Sequence, residues 1–284
     1  MSDAALAIAD LNAVSDRDGE AILRGVSLTV ERGETRGLVG ESGAGKSTIG
    51  KAILGILPRA VRVTSGEVLF EGQDLLKAPA ALRRRLIGER IALIPQDPMT
   101  ALNPGRRIEG QLTDGLRLWR DLSAGAAREA ALKLLDEVQI RDPERVLRSF
   151  PHELSGGMRQ RVLIAAAFAL EPKLIVADEP TTALDVTVQK QILRLIRAMQ
   201  SAHGTSVLFV THDLGVVAQI CDRVTLLFGG RVVEEGRTAD LLQAPRHPYT
   251  RALLEACPRY DQPCAGLRPI PEQIIATLRA EIAA

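Results

Sequence analysis

Aromatic side chains are scarce in this 284-residue chain, at 3%, and none stands before Phe70. Surfaces that grip single-stranded nucleic acid interleave aromatics with basic residues. The basic trio Arg83-Arg84-Arg85 has no aromatic residue among it, so it reads as a solvated helix face and no nucleic-acid partner is expected. Charge of one sign is missing too: 36 basic residues against 35 acidic leave a net +1, with no global pull toward nucleic acid or anionic lipid. Cysteine occurs three times, at Cys221, Cys257 and Cys264, too few and too odd for a disulfide framework, which points to a reducing cytoplasm. The spacing of Cys257 and Cys264 makes a poor cluster signature, and both read as thiols. The longest apolar run, Val162 to Leu170, falls well short of the roughly 18 residues a membrane span needs. The N-terminus carries Asp3 and Asp10 and has neither the basic start nor the long apolar run of a signal peptide. Service to a membrane would therefore be that of a peripheral subunit. What remains, 46% hydrophobic and 25% charged, is ordinary globular composition with core enough for one large or two modest domains.

The most informative stretch is Gly40-Glu41-Ser42-Gly43-Ala44-Gly45-Lys46-Ser47-Thr48, which fits the phosphate-binding loop G-x-x-x-x-G-K-[ST]. Gly37-Leu38-Val39 precedes it like the end of a buried strand. Ser47 to Leu57 follows with helical spacing at Ile49, Ile53, Leu54, Ile56 and Leu57. Gly43 and Gly45 let the backbone approach an anion and take up positive φ. Successive N–H groups and the helix N-terminus then form a nest for phosphate. In such a loop Lys46 reaches the β- and γ-phosphates and Ser47 ligates Mg²⁺.

Organisation along the chain supports an α/β fold. Leu6 to Leu11 and Ala21 to Val30 read as two strands joined by the polar turn Ser15 to Gly19, and Val61 to Phe70 as further antiparallel strand and turn. Leu75 to Leu86 reads as a helix. Ile91 to Pro95, Leu174 to Glu179 and Val207 to His212 are short apolar runs with the character of buried strands. Between the first two, Gly105 to Phe150 has helical spacing, as in Ala127, Ala130, Ala131, Leu134, Leu135 and Val138, and is expected to form a helical insertion of roughly 50–60 residues. Val186 to Met199 reads as an amphipathic helix, and Val224 to Glu235, around Gly229-Gly230, as a hairpin. Alternating strands and helices predict a mostly parallel sheet, and no repeat at a fixed period suggests a solenoid.

Three strand ends and one loop carry the remaining chemistry. Asp178 closes an apolar strand, where α/β sheets place ligand-binding residues, and is expected to hold Mg²⁺ beside Ser47. Glu179 follows it and, because strand side chains alternate, is free to face an attacking water as general base. His212 ends the next apolar strand, at the edge where a γ-phosphate is expected. Gln96 ends a third; its neutral amide can hydrogen-bond both the metal shell and the water. In Leu154-Ser-Gly-Gly-Met-Arg-Gln-Arg161 a small-residue loop caps a helix over Met158 to Leu170, so that Ser155 and the N–H groups of Gly156 and Gly157 form a second anion site. Two phosphate-binding helix ends in one chain suggest a head-to-tail pair in which each loop closes on the other subunit's nucleotide.

With these residues together, the sequence resembles the nucleotide-binding subunits of ABC transporters over nearly its whole length. The motifs carrying the resemblance are Gly40 to Thr48, Gln96, Leu154 to Gln160, Leu174 to Glu179, Ala183-Leu184-Asp185 and His212. It implies a P-loop NTPase core with a mostly parallel sheet, an N-terminal antiparallel β subdomain and an inserted α-helical subdomain at about residues 100–165. ATP would be sandwiched between two such subunits. Pro95 to Pro104, Asp178 to Val186 and Pro245 to Leu254 look like the oligopeptide, dipeptide and nickel importer ATPases, which implies an ABC ATPase domain over 1–240 and a C-terminal extension over 241–284. The partners so implied are two transmembrane permease subunits, a second ATPase subunit and, indirectly, a substrate-binding protein, at the cytoplasmic face of the membrane. One departure stands out. Such ATPases stack adenine on an early aromatic residue, and here that place falls near Val14 or Ser15, which forfeits on the order of 1 kcal/mol or more of stacking.

Overall fold

The computed structural model describes residues 4–182, 184–256 and 271–283. The chain opens with β1 (Ala4–Ser15) and β2 (Ala21–Glu31), continues through β3 (Thr35–Gly40), α1 (Lys46–Ile53) and β4 (Val61–Phe70), and reaches the short β5 (Gln73–Asp74). Strands β2-β1-β4-β5 form one antiparallel sheet. Its buried side chains do not keep a strict period of two: Leu6 and Ile8 are followed by Leu11 and Ala13. The slip is a bulge. Both ladders of β1 shift register between Ile8 and Asn12, and Asp10 takes a φ of 47°. Asn12 stitches the level together, accepting from Gly25 N–H at 2.8 Å and donating to Ser65 Oγ at 3.0 Å. Gly66, with φ 100°, completes it in β4; a Cβ there would stand 2.4 Å from the carbonyl oxygen of Asp10. Such devices re-aim a strand and raise its twist.

From Ala80 the chain runs through α2 (Ala80–Arg90), β6 (Ile91–Ile94), α3 (Pro98–Ala101), α4 (Ile108–Trp119), α5 (Ala124–Glu137), α6 (Pro143–Arg148), α7 (Gly156–Phe168), β7 (Leu174–Asp178) and α8 (Val186–His203). Several expected boundaries move: β1 runs on to Ser15, α7 begins at Gly156 rather than Met158, and α8 runs on to His203. The helix expected from Leu75 begins only at Ala80, because Pro79 restricts the residue before it to extended backbone and stands at the N-cap with ψ 143°. α1 stops at Ile53 rather than Leu57, since Gly55 turns left-handed at φ 65°. No side chain of α2 is buried, and Arg85 pairs with Glu89 at 2.9 Å, which agrees with a solvated basic face. The long apolar run lies in α7, where Val162, Ile164, Ala165 and Phe168 are wholly buried, so it is a helix apolar on every side because it sits in a core. Ser123, Asp142, Ser155 and Asp185 cap α5, α6, α7 and α8 through main-chain N–H groups. In this region β6 and β7 pair in parallel.

The chain closes with β8 (Ser206–Thr211), α9 (Leu214–Ile220), β9 (Arg223–Phe228), β10 (Arg231–Arg237), α10 (Thr238–Gln243), α11 (Pro248–Ala256) and α12 (Glu272–Ala283). β3 and β9 are parallel, and β9 and β10 form the expected hairpin. Two compact units result, Met1–Lys77 with Leu208–Ala284, and Ala78–Val207. Phe228, Tyr249 and Leu278 share one buried cluster, which seats the C-terminal helices on the β9–β10 hairpin. Within the first unit Arg36 is buried in β3, donating to Thr29 O, to Thr225 Oγ1 at 3.1 Å and to Glu235 Oε2 at 2.8 Å. Burial holds its guanidinium below the usual range, with Glu235 acting the other way.

Gly66→Ala is expected to cost roughly 3 kcal/mol or more of folding stability, because a left-handed backbone and an overlap with the Asp10 carbonyl coincide. Urea unfolding measures it, and a midpoint equal to that of the unsubstituted chain would contradict the bulge as the reason for glycine.

Candidate nucleotide-binding site

Gly40 to Thr48 forms a strand–loop–helix, with β3 wholly buried and α1 opening at Lys46. Gly43 and Gly45 both have positive φ, 82° and 96°, as a loop needs when its N–H groups turn toward one anion. Ser42 and Gly43 are exposed while Ala44, Gly45 and Lys46 are buried, so the loop presents its tip and hides its base. Lys46 Nζ donates to the carbonyl oxygens of Gly40 and Glu41 at 2.8 and 2.9 Å, which centres the ammonium over the loop. Main chain backs the loop at two points. A Cβ on Gly40 would stand 2.3 Å from the carbonyl oxygen of Leu227, and Gly230 N–H donates to Ala44 O at 3.2 Å. The residues thus fit a polyphosphate: a cradle of N–H groups, one positive charge, and a close floor of main chain. Sequence reasoning found the loop but not its floor, although the Gly229-Gly230 pair was visible as a hairpin turn.

In the second unit, Glu179 stands just past β7 with a left-handed φ of 46°, a region few residues with a side chain adopt. Its Oε2 accepts from Gln96 Nε2 at 3.3 Å and from Thr182 Oγ1 at 3.0 Å. The structure therefore brings together two of the expected residues, Gln96 and Glu179, and adds Thr182, which no spacing argument singled out. Thr182 is one of two threonines after Pro180, a small-residue turn that could have drawn attention to it. Thr181 accepts from Gln189 Nε2 at 3.3 Å, which ties the same turn to α8. Ser155 caps α7 through Met158 N–H at 3.3 Å, and Ser155 and Gly156 are exposed, so this helix end is presented outward as an anion site requires. Gln160, one turn on, is wholly buried and its amide atoms find no partner among the described residues. Asp178 ends β7, and His212 follows β8 with an exposed side chain, directly before Asp213, which caps α9. Ala183, Cys257 and Cys264 lie outside the described residues, while Cys221 is buried.

A P-loop cassette with a capped second glycine loop is thereby defined. Residues 23–182 match the ABC transporter family, and residues 233–281 match the oligopeptide/dipeptide transporter C-terminal region. The chain belongs to the ABC transporter family, as one of its ATP-binding, ATP-hydrolysing cassettes. Similar proteins include the probable D,D-dipeptide transport ATP-binding protein DdpD of Escherichia coli (strain K12), 50% identical over 250 residues, 88% of this chain and 76% of that protein. The dipeptide transport ATP-binding protein DppD of Bacillus subtilis (strain 168) is 47% identical over 249 residues, 87% of this chain and 74% of that one. Among solved structures, the dimeric post-hydrolysis state of the ATP-binding cassette MJ0796 bound to ADP and Pi superposes with a TM-score of 0.72 at 28% identity, over 82% of this chain and 98% of that one. No helix among the described residues is long and apolar enough to cross a membrane.

At the place of the absent aromatic, Val14 is half-buried in β1 and Ser15 N–H donates to Glu20 O at 2.8 Å. Without a stacking platform worth about 1 kcal/mol or more, ATP and GTP are expected to bind with affinities within about fivefold of each other. Titration of both Mg²⁺ nucleotides decides the point, a strong preference for ATP being the contrary result.

Proposed function

We propose that this chain is an ATPase subunit of an ABC importer for peptides, with nickel or another small solute as the alternative cargo. The observation that carries the reading is the match of residues 233–281 to the oligopeptide/dipeptide C-terminal region, beside relatives named for dipeptide and oligopeptide transport. In this reading 1–240 is the ATPase domain and 241–284 the extension typical of that group, the helical subdomain being inserted at about 100–165. The chain works at the cytoplasmic face of the membrane as a peripheral subunit. It pairs with a second ATPase, like or unlike itself, docks on two permease subunits, and serves a substrate-binding protein indirectly. No nucleic acid takes part.

The residue roles follow from chemistry. Gly40, Glu41, Ser42, Gly43, Ala44, Gly45 and Thr48 supply the loop that cradles the phosphates. Lys46 brings positive charge to the oxygens on which charge develops during phosphoryl transfer. Ser47, Asp178 and Gln96 would hold Mg²⁺, which when bound neutralises charge between the β- and γ-phosphates. Glu179 orients a water in line and accepts its proton, its carboxylate kept in place by Gln96 and Thr182. His212 hydrogen-bonds at the γ-phosphate. Ser155, Gly156 and Gly157 close on the nucleotide of the paired subunit.

Glu179→Gln is expected to bind ATP while kcat falls by about 10²–10⁴, and Lys46→Ala to lose binding; steady-state turnover in the reconstituted transporter and nucleotide titration measure the two. Normal turnover by Glu179→Gln would remove the base assignment. Tagged Glu179→Gln with Mg²⁺ and ATP, drawn from native membranes, should retain two permeases and a second ATPase. Recovery of soluble partners or ribosomes instead would leave the family and overturn the transport reading.

A further inference from the structure

The Arg246-His247-Pro248-Tyr249 segment has no part in the chemistry above, yet it is held with care. Glu234 of β10 accepts from the main-chain N–H groups of Arg246 and His247 at 2.8 and 3.1 Å, and His247 Nδ1 accepts from Tyr249 N–H at 3.2 Å. This pins the start of α11 to the hairpin. Tyr249 is then wholly buried, its ring tilted at 60° against Phe228 with centroids 5.0 Å apart. Phe228 is the last residue of β9, directly before the Gly229-Gly230 turn. That turn is the floor of the phosphate loop: Leu227 O against Gly40, and Gly230 N–H to Ala44 O. The turn has no slack on its other side, since Arg24 N–H donates to Gly230 O at 2.9 Å and a Cβ on Gly230 would stand 2.3 Å from Ile22 O. Burial, and after it the charge of Glu41, push the Tyr249 hydroxyl above its ordinary range, and its oxygen is buried with no hydrogen-bond partner among the described residues.

We propose that Tyr249 is a positioning residue for the phosphate loop, its ring holding Phe228 and thereby the β9–β10 turn against Gly40 and Ala44. The C-terminal extension is thus a brace for nucleotide binding, and displacement of the extension loosens the site. The inference rests on Gly40 to Thr48 being the nucleotide loop. It needs contiguous packing from α11 to the loop, and each step of that packing is a main-chain or ring contact given above. The role belongs to the ring, so phenylalanine should serve in its place.

The test uses the full chain with a fluorescent ATP analogue, thermal melting, and hydrogen exchange of the peptide covering residues 40–48. Lys46→Ala and the unsubstituted chain set the limits: failure of the unsubstituted chain to bind would refute the nucleotide reading itself, apart from the brace. Tyr249→Leu and Phe228→Leu, which keep apolar volume but break the ring pair, are expected to weaken binding by about tenfold and to speed exchange in the loop. Tyr249→Phe should stay within about twofold of the unsubstituted chain. Ile275→Ala thins the same buried cluster from α12 and should lower the melting temperature with affinity unchanged within about twofold. If Tyr249→Leu fails to fold, Phe228→Leu and Tyr249→Phe carry the same comparison. Leucine variants that bind as tightly as the unsubstituted chain would overturn the proposal, as would affinity that merely tracks melting temperature across the series, Ile275→Ala included.

Discussion

The contact on which the first unit depends is one between backbones. At the phosphate loop, the main chain of Leu227 to Gly230 touches the main chain of Gly40 and Ala44 with no side chain between them. A loop that must turn successive N–H groups toward one anion spends its own hydrogen-bonding capacity on the ligand, so its shape has to be imposed from behind. Here the imposing surface is a hairpin turn, itself held by the first residues of β2 through Arg24 N–H and Ile22. Two further sets of contacts keep those segments in register. The buried Arg36 joins β3 to β2, β9 and β10, and Thr35 N–H donates to Asp222 Oδ2 at 2.8 Å where β3 and β9 begin. A buried guanidinium is costly unless its donors are met, and here partners on three strands meet them, which fixes relative position more narrowly than apolar packing alone.

The second unit solves a different problem, that of aiming a carboxylate. Glu179 cannot continue β7, because its φ is left-handed, and strain of that kind persists only where surroundings over-determine it. Thr182 N–H donates to Glu179 O at 3.3 Å, while Gln96, two residues past β6, and Thr182 from the following turn hold the carboxylate by binding the same oxygen. An amide and a hydroxyl thus hold one carboxylate oxygen in place, which suits the role of base proposed for this residue. Asp178, one residue earlier, still has strand geometry. The change of backbone region between two adjacent acids accords with the separate tasks proposed for them.

Much of this is legible in the sequence. The phosphate loop, the strand ends at Gln96, Asp178 and His212, the capped loop at Ser155 and the helix from Val186 follow from glycine spacing, apolar periodicity and capping chemistry, all of which act over a few residues. What escaped was non-local. The bulge at Asp10 shows in sequence only as apolar residues spaced by three between Ile8 and Leu11, and its explanation needs Gly25 and Gly66 from two other strands. The left-handed Glu179 has no signal of its own, and the partners of its carboxylate, Gln96 and Thr182, come from two different segments. Leu75 to Lys77 had helical composition, yet Pro79 set the start of α2. Equally, Gly229-Gly230 reads as a turn from composition, whereas its service as a floor depends on a loop nearly two hundred residues away in the chain.

The same distinction explains why the extension is seated where it is. Phosphate loops are pressed by ligand charge each time a nucleotide enters or leaves, and a two-glycine turn is a compliant support, because glycine retains the widest backbone freedom. Compliance there is needed for close approach, since any Cβ at Gly230 would collide with Ile22 O. Stiffness must therefore come from the residues flanking the turn. Phe228 lies on one side of it, buried and without room to move once Tyr249 and Leu278 close over it. A large aromatic pair is a suitable source of that stiffness: it buries much area with few rotatable bonds and packs in a preferred tilted geometry. In a chain with so few aromatic residues, two of them meet beside this turn, and the economy of their use elsewhere makes the position informative about what the fold requires.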